Sequence, residues 1–350
     1  MENKKFGFGI VGAGTISHFH ARAIAKIKNA QLSGIYNSSK AKSDQFAKKY
    51  QCTSYSTLDE MLSRPEIDIV CICTPSGIHL EPAIASIKSG KHCIIEKPLE
   101  VTVERCDQII EAARKAGVAV GVIFPSRFYE ASMQLKKALD ENRFGALTLG
   151  DTYVKWSRTP EYYQSGKWRG TWKYDGGGAL MNQGIHSVDL LQWFMGPVAS
   201  VQSVSANIRH KDIEAEDTIV STLKFKNGAL GTIECSTGVF PGSLKRVEIM
   251  GTSGSAILEE DHMIQWQFKE EMNEDQNIRK SMLSGTVSHG GASDPADISF
   301  IGHQRQIEDF IHAIETKGTP LVDGEEGRKS VEIVCAIYES ARLGRRIELP

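Results

Sequence analysis

Position 97 holds an amine that can take or give a proton, in the run Ile94-Ile95-Glu96-Lys97-Pro98-Leu99. Two β-branched residues lead into a carboxylate, an amine and a proline, so a buried strand stops there and presents Lys97 at its carboxyl end. Open α/β sheets bind ligands at that end. Lysines also stand at strand ends for solubility alone, and the neighbouring motifs decide between the two. A second group lies in residues 179–195, where apolar residues occupy nearly the whole circumference of an expected buried helix. Asn182, His186, Asp189 and Trp193 recur there at spacings of four, three and four, which return to one face. Polar groups on a buried helix need partners, and either an internal network or a substrate can supply them. The glycine-rich approach Gly176-Gly177-Gly178, together with Lys97, favours a substrate-facing stripe.

A third motif supplies a place for a cofactor. Gly12-Ala13-Gly14-Thr15-Ile16-Ser17 joins an apolar strand at 6–11 to a helix running to about residue 28. Glycine at 12 suits a tight turn, and glycine at 14 lets a pyrophosphate approach the amides at the helix start. The third glycine position is Ser17, small enough for close packing. The fingerprint sits between strand and helix, the context in which it carries weight. The second strand, 31–36, ends in Asn37-Ser38-Ser39-Lys40-Ala41-Lys42, and no Asp or Glu occurs between Ala30 and Ser43. An NAD enzyme commonly carries an acid there for the ribose 2′-hydroxyl. Small hydroxyls followed by Lys40 and Lys42 suit a 2′-phosphate instead, which leans the reading from NAD(P) towards NADP. The bland alternative is that these lysines only begin a solvated helix.

The elements that must position these groups follow a two-part plan. Strands at 6–11, 31–36, 67–73, 92–95 and 118–124 alternate with helices at 43–50, 59–63, 80–89 and 103–116. Repeated β-α units imply a doubly wound parallel sheet of about six strands with right-handed crossovers, closed by Pro125. After Arg127 a helix at 129–141 precedes strands at 147–156, 198–210, 218–225, 229–236 and 245–251. Turn signals at 226–228 and 251–254 imply hairpins, hence a large, mostly antiparallel open sheet. Residues 270–297 read as a mobile polar excursion, and helices at 301–316 and 324–343 close the chain. The expected organisation is therefore α/β throughout. Residues 1–125 form a dinucleotide-binding domain, and 126–350 a substrate-binding and oligomerisation domain.

Length and composition agree with this plan. At 350 residues the chain exceeds one typical core, and 41 basic against 43 acidic residues give a net charge of -2 with no basic block. That balance argues against nucleic acid as a partner. No apolar run is long enough to span a bilayer, and residues 1–5 lead into a strand and not into a signal sequence, so a cytoplasmic protein without a membrane partner is expected. Seven scattered cysteines, three in strand-like runs, read as buried hydrophobes in a reducing compartment. Cys71-Ile72-Cys73 lacks nearby ligands to complete a metal site, so no metal is expected.

Four motifs in order, Gly12-Ala13-Gly14, Thr74-Pro75 with His79, Glu96-Lys97-Pro98, and Gly176-Gly177-Gly178 to His186, resemble the Gfo/Idh/MocA oxidoreductases over essentially the whole chain. The resemblance implies a Rossmann domain followed by an α/β domain whose open sheet often joins subunits, hence a homodimer or homotetramer. It implies Lys97 as catalytic lysine, His186 as active-site histidine, and Asn182 at a position that is aspartate in many sugar and inositol dehydrogenases. An amide hydrogen-bonds but takes no proton, which puts in doubt any mechanism needing a carboxylate at 182. Gly12, Gly14, Thr15, Ile16, Thr74, Pro75, His79, Glu96 and Lys97 are implied around the cofactor. Trp168 and Arg169 resemble an NADP-contacting pair of the anhydrofructose reductase branch, and Asn37, Ser38 and Lys42 that branch's adenosine-phosphate contacts. Lys97, Tyr163, Arg169, Asn182 and His186 are the expected substrate-facing set.

The expected chemistry is hydride transfer between nicotinamide and a hydroxyl or keto carbon of a sugar, cyclic polyol or sugar derivative, with Lys97 or His186 taking the hydroxyl proton. A nucleotide-sugar 3-dehydrogenase acting on a UDP-hexuronate is an alternative that needs a further anion site. A non-catalytic NAD(P)-binding regulator is another, opposed by the presence of both Lys97 and His186.

Overall fold

The computed structural model of the protein describes residues 5–284 and 299–350. In chain order it begins with β1 (Phe6–Val11), α1 (Thr15–Ile24), β2 (Ala30–Tyr36), α2 (Lys40–Tyr50), β3 (Thr53–Tyr55), α3 (Leu58–Leu62), β4 (Ile69–Ile72), α4 (Leu80–Lys88), β5 (His92–Ile95), α5 (Val103–Ala116) and β6 (Val120–Val122). There follow α6 (Glu130–Asp140), β7 (Leu147–Lys155), α7 (Pro160–Gln164), a π-helical turn (Leu180–Gly184), α8 (Ile185–Met195), β8 (Val198–Ala206), β9 (Thr218–Phe225) and β10 (Leu230–Ser236). The chain continues with β11 (Arg246–Gly251), β12 (Gly254–Glu259), β13 (His262–Phe268), α9 (Asn273–Ser284), α10 (Ile301–Thr316), α11 (Gly324–Leu343) and β14 (Ile347–Glu348). The described residues divide into two compact units: those before Ser126 with Ser299–Val331, and those of Ser126–Ile298 with Glu332–Pro350.

The first unit holds a parallel six-stranded sheet in the order β3-β2-β1-β4-β5-β6. Every residue of β1 and β4 is buried, as expected of strands covered on both faces. The edge strand β3 was not expected, because three residues are too few to show a period. Residues 299–331, expected in the second domain, instead join the first unit. Ile307, Phe310 and Ile311 of α10 enter one core with Ile10, Ile24 and Ile94. The Gln306 amide accepts a bond from Phe124 N (3.0 Å) and donates one to Val122 O (2.6 Å). Apolar fit to the sheet, invisible in chain order, overrides sequence proximity.

The second unit is built on an eight-stranded sheet, β13-β12-β11-β7-β10-β9-β8-β14, antiparallel except where β7 pairs with β10. The turns at 226–228 and 251–254 make the expected hairpins between β9 and β10 and between β11 and β12. Strands β12, β13 and β14 extend the sheet beyond what was expected. The polar segment 270–297 is helical over Asn273–Ser284, because the fully buried Asp275 accepts bonds from Arg143 (3.0 and 2.7 Å) and from Trp266 Nε1 (2.7 Å). The expected excursion over 285–297 lies outside the described residues. Among the described residues no helix is long and apolar enough to cross a membrane, and no disulfide forms.

Candidate active site

The carboxyl ends of β1, β2, β4 and β5 gather Gly12, Gly14, Asn37, Thr74 and Lys97. Gly12 has φ +105°, and a Cβ there would meet Cys73 O at 2.6 Å, so only glycine fits. At Gly14, the residue preceding α1, a Cβ would meet nothing within 4 Å, which leaves open room in front of the helix amides. A dinucleotide pyrophosphate fits that arrangement. Ser17 takes the third position, buried, with its hydroxyl donating to Gly14 O (2.6 Å). The Asn37 side chain accepts from Ala13 N (3.2 Å) and donates to Ser39 O (3.2 Å), so it braces the turn. Lys42 and Thr15 are exposed, while Lys40 donates to Asp44 (2.5 Å) and Ser54 Oγ (2.7 Å).

Lys97 lies two residues past the end of β5 and is partly exposed, flanked by buried Glu96 and Pro98, with a cis Lys97–Pro98 peptide. Three side chains fix its turn. Glu96 Oε2 accepts from Lys97 N (3.2 Å), while Oε1 lies 2.8 Å from His20 Nε2 of α1 and 3.7 Å from His303 Nε2 of α10. Fully buried His79 places its two ring nitrogens against Pro98 O (2.8 Å) and Thr74 O (3.0 Å). Fully buried Glu100 accepts from His79 N and Leu80 N (3.2 Å each) and from Val101 N (2.6 Å). His79 and Glu96, expected at the cofactor, thus have side chains turned inward, where each ties the Lys97 turn to another element. Burial pushes the Glu96 carboxyl up, but the hydrogen bond from His20 and the nearby His303 imidazole reverse this and hold it well below the usual carboxylate range. For His20 burial opposes the charge, the Cys73 and Cys71 sulfurs favour it, and the net direction is up. Burial instead carries His303 down.

In the second unit two glycines of the triplet are required by contact. A Cβ at Gly178 would fall 1.7 Å from Glu216 O, and one at Gly177, with φ +156°, 2.2 Å from the Tyr338 hydroxyl. The buried Glu216 carboxylate accepts from Gly178 N (3.0 Å), Leu180 N (2.8 Å) and the Tyr338 hydroxyl (3.1 Å), and so pins the start of the helical segment. Burial drives its carboxyl up to about 7 against these bonds. The π turn resets the phase of the segment before α8. Asn182, His186 and Trp193 are partly exposed among buried neighbours, whereas Asp189, on the same helical spacing, is drawn out of the stripe by a buried partner. Asp189 is fully buried and accepts twice from the fully buried Arg127 (2.8 and 2.7 Å).

Asn182 Nδ2 donates to Asp175 Oδ1 (2.5 Å), and Asp175 Oδ2 accepts from Gly170 N (2.8 Å). A buried carboxylate therefore backs the Asn182 amide. Tyr163, expected at the substrate, is buried with its hydroxyl on Thr237 Oγ1 (2.7 Å). The adjacent Tyr162 is turned the other way: its hydroxyl accepts from Arg169 Nη1 (2.6 Å) and Gln183 Nε2 (2.9 Å). Arg169 also stacks on the Tyr162 and Trp168 rings (4.2 and 4.6 Å), and Arg158 lies over Trp156 and Tyr162 (4.9 and 5.3 Å). Sequence reasoning missed His20, Asp175, Glu216, His303 and Tyr338. Only Asp175, directly before the glycine triplet, had a local signal.

Residues 6–124 match the model of an oxidoreductase family with an NAD-binding Rossmann fold, and 132–257 match the GFO/IDH/MocA C-terminal domain. Myo-inositol 2-dehydrogenase of Thermotoga maritima is 26% identical, over 97% of this chain and 98% of its own. D-glucoside 3-dehydrogenase of Escherichia coli is 25% identical, over 100% and 99%. Among solved structures, the WlbA dehydrogenase from Bordetella pertussis in complex with NADH and UDP-GlcNAcA is 33% identical, covering 100% of this chain and 99% of that one with a TM-score of 0.91. With both halves matched in order, this chain belongs to the Gfo/Idh/MocA family of NAD(P)-dependent oxidoreductases, enzymes that move a hydride between nicotinamide and a CH–OH carbon.

Proposed function

We propose that this protein oxidises a carbinol of an acidic, nucleotide-linked sugar of the UDP-GlcNAcA type. The observation that carries this reading is the pair of guanidinium groups, Arg158 and Arg169, stacked on one tyrosine ring beside Asn182's neighbour Gln183. Forked cations held by aromatic faces suit a carboxylate or phosphate better than a neutral polyol. The similarity to WlbA over the full chain supports the same class.

Oxidation removes a hydride from carbon and a proton from oxygen. The bound nicotinamide supplies the hydride acceptor, and this chain must take the proton. We assign that proton to Lys97 Nζ, because its turn is fixed by Glu96, His79 and Glu100, and a general base works from a fixed position. His186 Nε2 holds the reacting oxygen by a hydrogen bond, and Asn182, backed by Asp175, orients the sugar. For the cofactor, the lean towards NADP continues in weaker form: Lys40 is engaged by Asp44, so Ser38 and Lys42 carry any 2′-phosphate. The exposed sheet face, where Val204 adjoins Val220 and Leu230 adjoins Leu149, suits a second copy of this chain, giving a homo-oligomer.

The test is reduction of NAD+ and NADP+ at 340 nm with UDP-GlcNAcA, UDP-GlcNAc, glucose and myo-inositol. The expected kcat/KM for UDP-GlcNAcA exceeds that for UDP-GlcNAc by about thirtyfold, the discrimination lost when a buried guanidinium is left without its anion. Equal turnover of the neutral sugars refutes the acidic substrate. Tight cofactor binding with no turnover across the panel returns the regulator reading.

A further inference from the structure

We propose that His20, Glu96 and His303 form a buried positioning triad that sets the stance of the Lys97 turn. The inference rests on the proton-accepting role given to Lys97 above. Glu96 divides its oxygens: Oε1 faces the two imidazoles at 2.8 and 3.7 Å, and Oε2 accepts from the Lys97 backbone N at 3.2 Å. The three residues come from three elements distant in sequence. His20 is on α1, the helix whose start lies at the glycine turn, Glu96 follows the last residue of β5, and His303 is on α10. They are 0, 6 and 4% exposed.

Around the triad stand Cys71 of β4 and Cys73 just after it, while the Arg22 guanidinium lies over Phe19 and Phe300 beside His303. A carboxylate so deeply buried neutralises itself unless a cation or strong donors meet it, and the imidazoles supply both. For joining β5 to α1 and α10, an apolar trio of similar volume serves equally well without desolvating charge. What an apolar trio lacks is an acceptor for the Lys97 amide. The triad thus links the helix that begins at the cofactor turn to the residue that exchanges the proton.

The experiment uses the full chain carrying Glu96→Gln, His303→Gln or both. NADH affinity is measured by energy transfer from protein to nicotinamide, turnover with UDP-GlcNAcA and NAD+, and Lys97 reactivity as its acetylation rate with acetic anhydride relative to the other lysines. Expected are NADH affinity within about threefold of wild type, and kcat lowered about thirtyfold by Glu96→Gln and about fivefold by His303→Gln at a nearly constant KM. The double variant is no worse than Glu96→Gln, because both act through one grip. Lys97 acetylation shifts several-fold in each. A Glu96→Gln enzyme with kcat within about twofold, a double variant whose loss is the product of the single losses, or unchanged Lys97 acetylation each overturns the triad. If the wild type oxidises none of the sugars, the proposed function fails by itself, and the acetylation comparison alone decides the triad. Should Glu96→Gln not fold, His20→Gln and its double with His303→Gln carry the same comparison.

Discussion

Two buried glutamates hold the two groups proposed for catalysis, and they ionise in opposite senses. Glu96 in the first unit and Glu216 in the second are both taken from water, and burial alone pushes both carboxyls up. Glu96 faces His20 and His303 and stays well below the usual range. Glu216 faces two backbone amides and a tyrosine hydroxyl and rises to about 7. The difference teaches that neutral donors, even three of them, offset only part of the desolvation of a carboxylate, whereas a neighbour able to hold the proton as a cation reverses it. One unit therefore fixes the lysine proposed to take the proton with a charge that persists through the physiological range. The other fixes the start of its histidine-bearing helix with a group that titrates inside that range.

The comparison breaks first at the reacting groups. Lys97→Met is expected to lower kcat about a thousandfold with NADH affinity unchanged, and His186→Asn to lower it about fiftyfold, since proton transfer is the larger contribution. Steady-state kinetics with UDP-GlcNAcA checks both, and a greater loss at His186 reverses the assignment. Next is the pH dependence of stability. With its carboxyl near 7 in the folded chain and near 4.3 in the unfolded one, Glu216 keeps its proton in the folded state over an interval where the unfolded chain has lost it. The folded state then binds more protons, so stability falls as pH rises through that interval. Urea unfolding at pH 5 and pH 7.5 should show wild type losing on the order of 3 kcal/mol more than Glu216→Gln. Parallel losses in the two proteins show that Glu216 does not titrate there.

What was legible in the sequence follows from the range of the physics. Gly12, Gly14 and Lys97 announce themselves because glycine at a tight turn and lysine after a β-branched run are local statements. The parallel order of the first sheet follows from repeated β-α units. The stripe of Asn182, His186 and Trp193 was readable by period, but Asp189 was not separable from it, because its partner Arg127 lies 62 residues away. Glu96 read as one of a motif of three, and only the approach of His20 and His303 gives its carboxylate a role. Tyr163 and Tyr162 cannot be told apart in sequence, since one residue of helical phase decides which faces Thr237 and which faces Arg169. The placement of residues 299–331 and the strands after Gly251 depend on long-range packing in the same way.

Smaller effects sharpen the picture. Asp175→Asn should lower kcat about tenfold without changing NADH affinity, because Asn182 loses a charged acceptor at 2.5 Å. Asn182→Asp should not restore a better base: two carboxylates at that distance cannot both ionise, so activity falls and the pH profile moves up. A gain in kcat at neutral pH overturns that reading.

The smallest expected effect separates two lysines two residues apart. Lys40 is held by Asp44 and Ser54, so Lys40→Ala should leave NADH and NADPH affinities alike within about twofold, as for any exposed pair. Lys42 is exposed in the first turn of α2, its N donating to Ser39 O (3.1 Å), just past the end of β2 where a 2′-phosphate lies in a dinucleotide fold. Lys42→Ala should weaken NADPH about fivefold and leave NADH unchanged, the worth of one exposed charge-assisted contact. Titration by energy transfer reads both cofactors on the same protein. If both variants leave the NADPH to NADH ratio where it was, neither lysine recognises phosphate, and the run from Asn37 to Lys42 is a brace for the glycine turn followed by an ordinary helix surface.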